Sequence, residues 1–145
     1  MRGDDRDGGK ADARRAAWSG VMKLVYVFIG GSLGAACRYG VSLWATRSWG
    51  AGFPYGTLMV NLTGCLLIGL AFGLSERANL LGPNVRLFFI TGYLGALTTF
   101  SSYALETINA ARTTSFLVAG CNLLANNLLG FALVVAGMLL SKLMV

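Results

Sequence analysis

A run of hydroxyl residues lies in the middle of a stretch that is otherwise apolar enough to cross a membrane. The segment GALTTFSSYALE, residues 95–106, carries hydroxyl side chains at Thr98, Thr99, Ser101 and Ser102. Together with Gly92 and Gly95 they weaken a helix midway through the stretch, and non-helical backbone at that depth is tolerated only where it is buried or faces a cavity. Because a broken helix exposes carbonyl oxygens and amide N–H groups, this segment predicts a site for cations or anions.

Amide side chains occur in two other apolar stretches. Asn61 lies in GTLMVNLTGC, and Asn122, Asn126 and Gly130 recur at i, i+4 and i+8 in the last stretch, with Asn127 beside them. This spacing places the amides on one helical face. An unpaired amide in hydrocarbon costs several kcal/mol, so each must meet a partner or water. Hydrogen bonding between helices and the lining of a water-filled path both fit this pattern.

Two aromatic residues and one cationic residue could also interact with an ion. Phe100 and Tyr103 are three residues apart, hence on one helical face, where core packing is the ordinary explanation. Aromatic ring edges are electropositive and can approach a partly dehydrated anion. Arg38 is the one charge well within the first apolar stretch, and it could face an aqueous entrance or extend to lipid headgroups.

The acidic residues and the absence of histidine argue against catalysis. The chain has no His, and its carboxylates are near the N-terminus or near predicted helix ends, at Asp4, Asp5, Asp7, Asp12, Glu76 and Glu106. Proton relays, metalloproteases and acid–base enzymes depend on such groups inside the fold. We therefore predict that the chain is not an enzyme and not a proton-coupled pump.

The elements that must position these residues are membrane helices. The chain has 145 residues, of which 55% are hydrophobic and 12% charged, with a mean hydropathy of +0.63. Four stretches reach the length needed to cross roughly 30 Å of hydrocarbon, at 24–45, 54–75, 87–108 and 115–141. The loops between them, around 47–53, 76–86 and 109–114, leave no room for a soluble domain. We predict an all-α membrane protein with four transmembrane helices, the third broken at mid-membrane.

The first 21 residues differ from the rest. Residues 1–21 show no apolar period and are predicted to form a disordered basic tail, while Met22 is the more plausible start of the four-helix domain at 22–145. Six of the twelve cations precede the first span, so the net charge of +6 indicates a cytoplasmic flank and not a nucleic-acid partner. A start at Met1 would favour an N-terminus inside the cell, whereas orientation is weakly specified from Met22 onward.

Three motifs resemble one known family. GGSLGAACRY at 30–39, GTLMVNLTGC at 56–65 and GYLGALTTFSSY at 92–103 are similar, in order and approximate spacing, to the Fluc (CrcB) family of fluoride channels. The resemblance extends from residue 22 to the end. It implies an antiparallel, dual-topology homodimer in the plasma or inner membrane, surrounded by lipid, which conducts fluoride passively and selectively out of the cell.

The resemblance also implies roles for individual residues in the pore. Asn61 matches the pore asparagine and Phe100 matches the first phenylalanine of the aromatic box. Tyr103 occupies the position of the second box phenylalanine and adds a hydroxyl. Thr99 and Ser102 match hydroxyls near the pore.

Further matches concern the fourth helix, the entrance and a bound cation. Asn126 occupies a position where the family often uses serine, and Arg38 matches the first-span arginine, which favours a vestibule role. Gly95 and Thr98 match positions whose backbone carbonyls hold a structural sodium ion at the dimer centre, and hard oxygen ligands suit such a cation.

Three alternatives stay open. Tyr103, Asn126 and the basic tail could mark one subunit of a heterodimer with a paralogous partner. A small dual-topology multidrug exporter would need a membrane-embedded carboxylate, for which Glu106 lies near a predicted span end. A non-transporting scaffold would leave the asparagines and the hydroxyl run unexplained.

Overall fold

The computed structural model describes residues 4–78 and 81–144, with side chains described except at 4–9, 11–13, 16, 77 and 78. The described residues are helical apart from short connections. Its helices are α1 (Asp4–Trp49), α2 (Tyr55–Ala78), α3 (83–97), α4 (Phe100–Thr113) and α5 (Phe116–Met144). Within α3, Leu87–Leu94 is π-helical, and α5 contains a π-helical turn at Ala125–Leu129. The described part of the chain is therefore all-α, as predicted.

Two predicted boundaries are wrong. Helix α1 begins at Asp4, so most of the tail predicted to be disordered is helical. Alanine and arginine, which are good helix formers, dominate residues 11–17, and no proline interrupts them. Helix α4 runs through most of the loop predicted at 109–114, and only Thr114 and Ser115 separate it from α5. Ser115 ends this short connection by accepting a hydrogen bond from the Val118 N–H at 3.1 Å, which caps α5.

Three helical segments are long and apolar enough to cross a membrane: Ala17–Trp49, Tyr55–Glu76 and Phe116–Met144. They correspond to three of the four predicted spans. The predicted span at 87–108 is divided between α3 and α4, which are each too short by themselves. Thr98 and Thr99 separate these two helices with extended backbone, at ψ values of 154° and 116°.

Close packing between helices depends on glycine. A side chain at Gly69 would collide with the Val134 carbonyl of α5, and one at Gly137 would collide with the Leu66 carbonyl of α2. In the same way, a side chain at Gly30 of α1 would collide with a backbone carbonyl of α3. These contacts bring the backbones of neighbouring helices close together.

The outer surface is apolar and the compact core is small. Val60, Leu94 and Leu97 form its buried centre, whereas many large apolar side chains on α1 and α5 are exposed. Such a surface suits hydrocarbon or a protein partner better than water. Trp44, Trp49, Phe53 and Tyr55 cluster where α1 meets α2, and aromatic clusters of this kind are typical of the headgroup level.

Candidate functional site

The break between α3 and α4 forms one wall of a cavity of about 380 Å³ that is open to the surface of the chain. Seven of the residues predicted to act at the site line it: Asn61, Gly95, Thr98, Thr99, Phe100, Tyr103 and Asn126. Asn127 and Cys65 also line it. The structure therefore brings the polar residues of α2, the break and α5 into one place.

The Asn61 side chain is bonded to the broken backbone. Its Oδ1 accepts a hydrogen bond from the Thr99 N–H at 2.8 Å, and its Nδ2 donates to the Thr99 carbonyl at 3.2 Å. In a continuous helix the Thr99 N–H would donate to the carbonyl of Gly95. The amide of Asn61 thus replaces the helical partners that Thr99 has lost, which explains why a polar residue is tolerated in α2.

A chain of amides extends from Asn61 into α5. The Asn61 Nδ2 donates to Asn126 Oδ1 at 2.9 Å, and the Asn126 Nδ2 donates to both Asn122 oxygens at 2.9 and 3.0 Å. Asn122 is completely buried and donates to Thr107 Oγ1 at 2.7 Å. Thr107 in turn donates to the Tyr103 carbonyl at 2.7 Å, so the chain returns to α4. The predicted asparagine stripe is a connected network.

Phe100 and Tyr103 make an edge contact at the mouth of the cavity. Their ring centroids are 5.5 Å apart, with the planes at 65°. Phe100 is 78% exposed, whereas Tyr103 is only 8% exposed. The Tyr103 hydroxyl accepts a hydrogen bond from Asn127 Nδ2 at 2.8 Å. One ring is therefore buried and the other is exposed.

The hydroxyl run caps α4. Thr99 Oγ1 accepts from the Ser102 N–H at 3.2 Å and donates to Ser102 Oγ at 3.1 Å, with Ser101 Oγ at 3.3 Å. The remaining first N–H groups of a helix have no partner inside it, and the helix dipole adds positive partial charge there. The start of α4 can consequently attract an anion.

Arg38 and Ser102 lie in a second, adjacent cavity of about 240 Å³, which shares Thr99 with the first. Thr57 and Glu106 also line it, and Thr57 Oγ1 donates to Glu106 Oε1 at 2.8 Å. The other carboxylate oxygen of Glu106 is buried and has no hydrogen bond among the described residues.

A third cavity, of about 260 Å³, contains Thr57 and Glu106 as well and reaches the loop at 50–54. The three cavities are linked by shared lining residues, so polar surface continues from the break towards one end of the helices.

Sequence reasoning missed the parts that Thr57, Glu106 and Thr107 play here. Thr57 lies one helical turn before Asn61, so the spacing already placed it on the same face. Glu106 lies seven residues after Thr99 and was assigned to a span end, although α4 continues to Thr113. The longer helix places its carboxylate among the polar residues.

The end of α3 has the chemistry expected of a hard-cation site. Because the Thr99 N–H donates to Asn61, the Gly95 carbonyl lacks its usual helical partner, and the Thr98 carbonyl follows the last turn of α3. Gly95 is exposed and Thr98 is partly exposed. Backbone oxygens suit sodium, and the residues present therefore fit such an ion.

Comparisons with known proteins point to one family. The family described as CrcB-like protein, Camphor Resistance (CrcB), matches residues 25–138. A relative from Maridesulfovibrio salexigens, named "Fluoride-specific ion channel FluC", is 41% identical over 123 residues, covering 85% of this chain and 98% of its own length. A relative of the same name from Parabacteroides distasonis is 43% identical over 122 residues, covering 84% of this chain and 94% of its own length.

Proposed function

The chain belongs to the CrcB family, and from this premise we propose that it is a fluoride-selective channel through which fluoride leaves the cell passively, relieving its toxicity. The observation that carries the proposal is the similarity to relatives named as fluoride-specific channels over almost their whole length. The polar cavity at the break between α3 and α4 supports it. The chain acts as a transporter and not as an enzyme.

Fluoride moves along the cavity at the break, where Asn61, Thr99 and Asn126 provide a polar wall and Phe100 and Tyr103 provide ring edges. The first N–H groups of α4 replace part of the water that the ion loses. Arg38 and Ser102 serve the adjacent vestibule, which joins the site to the aqueous phase. A small, strongly hydrated anion needs such closely spaced donors, because dehydration is its main cost.

The channel is a multi-pass protein of the plasma or inner membrane, with the broken segment at mid-membrane depth. The three long apolar segments and the aromatic cluster between α1 and α2 support this placement. An extended backbone flanked by asparagines cannot face lipid, so protein or water must cover the open side of the cavity.

A second, antiparallel copy of the chain covers that side. The exposed ring of Phe100 and the open cavity support this arrangement, because a partner would bury both. A paralogous subunit could take the same place, and purification of the chain alone decides between the two. Functional dimers of this single chain would exclude an obligate paralogue.

A sodium ion binds at the dimer centre, held by the backbone carbonyls of Gly95 and Thr98 from both copies. The exposed position of Gly95 and the loss of its helical partner support this assignment. The bound ion would supply positive charge at the ends of the two α3 helices, where the helix dipoles are negative.

Efflux from liposomes tests the function. Vesicles containing the purified chain are loaded with fluoride and chloride, and both anions are followed in the same sample with ion-selective electrodes. We expect rapid fluoride loss and retention of chloride. Loss of both anions, or of neither, from vesicles that contain folded dimers would contradict the proposal.

A further inference from the structure

The strong side-chain donors of the cavity at the break are mostly committed to protein acceptors. Asn61 donates to Thr99 and Asn126, and Asn126 donates to Asn122. Thr98 donates to the Leu94 carbonyl at 3.1 Å, and the Thr99 hydroxyl donates to Ser102. These groups shape the cavity, but few of their protons are left for an ion.

The Tyr103 hydroxyl is the exception among the described lining residues. Its oxygen accepts a hydrogen bond from Asn127 Nδ2 at 2.8 Å, and its own proton has no acceptor in the described structure. A phenol can accept and donate at the same time. Since Tyr103 lines the cavity, this proton is available to an occupant of the cavity.

The direction of the Asn127–Tyr103 hydrogen bond is fixed by a third atom. The same Asn127 Nδ2 lies 2.8 Å from the Leu123 carbonyl, which can only accept. The amide must therefore present its nitrogen, and not its oxygen, to both neighbours. With its oxygen engaged as an acceptor, the phenol cannot donate to Asn127 and becomes a better donor to another group.

We propose that Tyr103 donates a hydrogen bond to the permeating anion and that Asn127 is the positioning residue that keeps the phenol oriented as a donor. The inference rests on the proposed fluoride channel and adds a pair of residues to it. Fluoride accepts hydrogen bonds strongly, and a bond from O–H to an anion is charge-assisted. The pair therefore strengthens fluoride binding beside Phe100, where a phenylalanine at position 103 would offer only a ring edge.

Single-channel fluoride currents, recorded in planar bilayers over a range of fluoride concentrations, test the pair. Tyr103→Phe keeps the ring and removes the donor, so the concentration that gives half-maximal current should rise about tenfold, the effect of losing one bond to a charged group. Asn127→Leu should raise it about threefold, because the phenol keeps its proton but loses its orientation. Tyr26→Phe, on α1 and away from the cavity, is the matched control and should change nothing.

The double variant tests whether Asn127 acts by orienting the Tyr103 hydroxyl or whether its substitution disturbs the channel in another way. If Asn127 acts through the phenol, Asn127→Leu has no further effect in the Tyr103→Phe background. An undiminished effect there, or an unchanged half-maximal concentration in Tyr103→Phe, would overturn the inference. Asn127 is exposed, so its substitution should leave folding intact. If Tyr103→Phe were to misfold, an unchanged value in Asn127→Leu alone would still reject the pair.

Currents from the unsubstituted channel distinguish failure of the proposed function from failure of the Tyr103–Asn127 inference. No fluoride current from the unsubstituted dimer would reject the proposed function itself. A normal fluoride current that is insensitive to Tyr103→Phe would reject only the Tyr103–Asn127 inference.

Discussion

The side chain of Asn61 binds both backbone polar groups of Thr99, accepting from its N–H at 2.8 Å and donating to its carbonyl at 3.2 Å. One amide thereby stabilises two extended residues between α3 and α4 that would otherwise leave buried polar groups unpaired. The interruption and the asparagine consequently depend on each other, and a change at either residue alters the shape of the cavity.

Asn61→Asp should abolish fluoride flux while leaving a folded dimer. The carboxylate can still accept from the Thr99 N–H, but it places a second oxygen against the Thr99 carbonyl and Asn126 Oδ1, and its charge repels anions. Fluoride efflux together with size-exclusion chromatography measures both effects. Asn84→Asp, at an exposed site, is the control, and normal flux through Asn61→Asp would contradict the assignment.

Phe100→Ile should also abolish or strongly reduce fluoride flux, because it removes the electropositive ring edge from the cavity. The ring is 78% exposed in the protomer, so little stability within the chain depends on it. Phe116→Ile, at an 84% exposed position on α5, controls for loss of a surface aromatic. Equal fluoride flux through both variants would contradict a role for the Phe100 ring in the pore.

Asn122→Ala should lower the free energy of unfolding by about 1–3 kcal/mol, because it removes the Oδ1 acceptor of Asn126 Nδ2 and the donor to Thr107 Oγ1, and it creates a small void. Asn122 is completely buried between Thr107 and Asn126. Thermal unfolding in detergent, compared with Asn84→Ala, measures the change. Equal stability of the two variants would show that the amide chain contributes little to the fold.

Gly69→Ala should disrupt the packing of α2 against α5. The added methyl group would collide with the Val134 carbonyl, a backbone atom that cannot move by rotating a side chain. Gly120→Ala introduces the same group where no atom lies within 4 Å and should be neutral or slightly stabilising. We expect loss of monodisperse protein only for Gly69→Ala; identical behaviour would contradict the packing observed here.

Replacement of sodium by N-methylglucamine during purification should destabilise the dimer, if Gly95 and Thr98 hold the ion through their carbonyls. The carbonyls at the ends of the two α3 helices would then repel one another without a cation between them. Chemical cross-linking of the dimer before and after the return of sodium measures this directly. A cross-linking yield that does not depend on sodium would argue against the site.

Much of the architecture can be predicted from the sequence, because a membrane strongly constrains the length and polarity of helices. Apolar length predicted a span within each of the three long apolar helical segments. Asn61 and Asn126 were predicted to need partners because unpaired amides are costly in hydrocarbon, and the structure pairs Asn61 with both Thr99 and Asn126.

Other features depend on contacts that periodicity does not encode. Asn122 of α5 donates a hydrogen bond to Thr107 of α4, fifteen residues away in sequence, and no local sequence pattern predicts this contact. The half-buried position of Glu106 follows from the extension of α4 to Thr113. The first helix was predicted to begin near residue 24, because the residues before it show no apolar period. Helix α1 begins at Asp4 instead, because good helix formers extend it even without an apolar face.

The most direct test of the central claim is the zero-current potential of the reconstituted channel, with sodium fluoride on one side of a planar bilayer and an equal concentration of sodium chloride on the other. A fluoride-selective pore predicts a potential far from zero, with the sign set by fluoride leaving its own side. A potential near zero, as a sodium-selective or non-selective pore would give, or one of the opposite sign would contradict selection of fluoride along the path past Asn61 and Phe100.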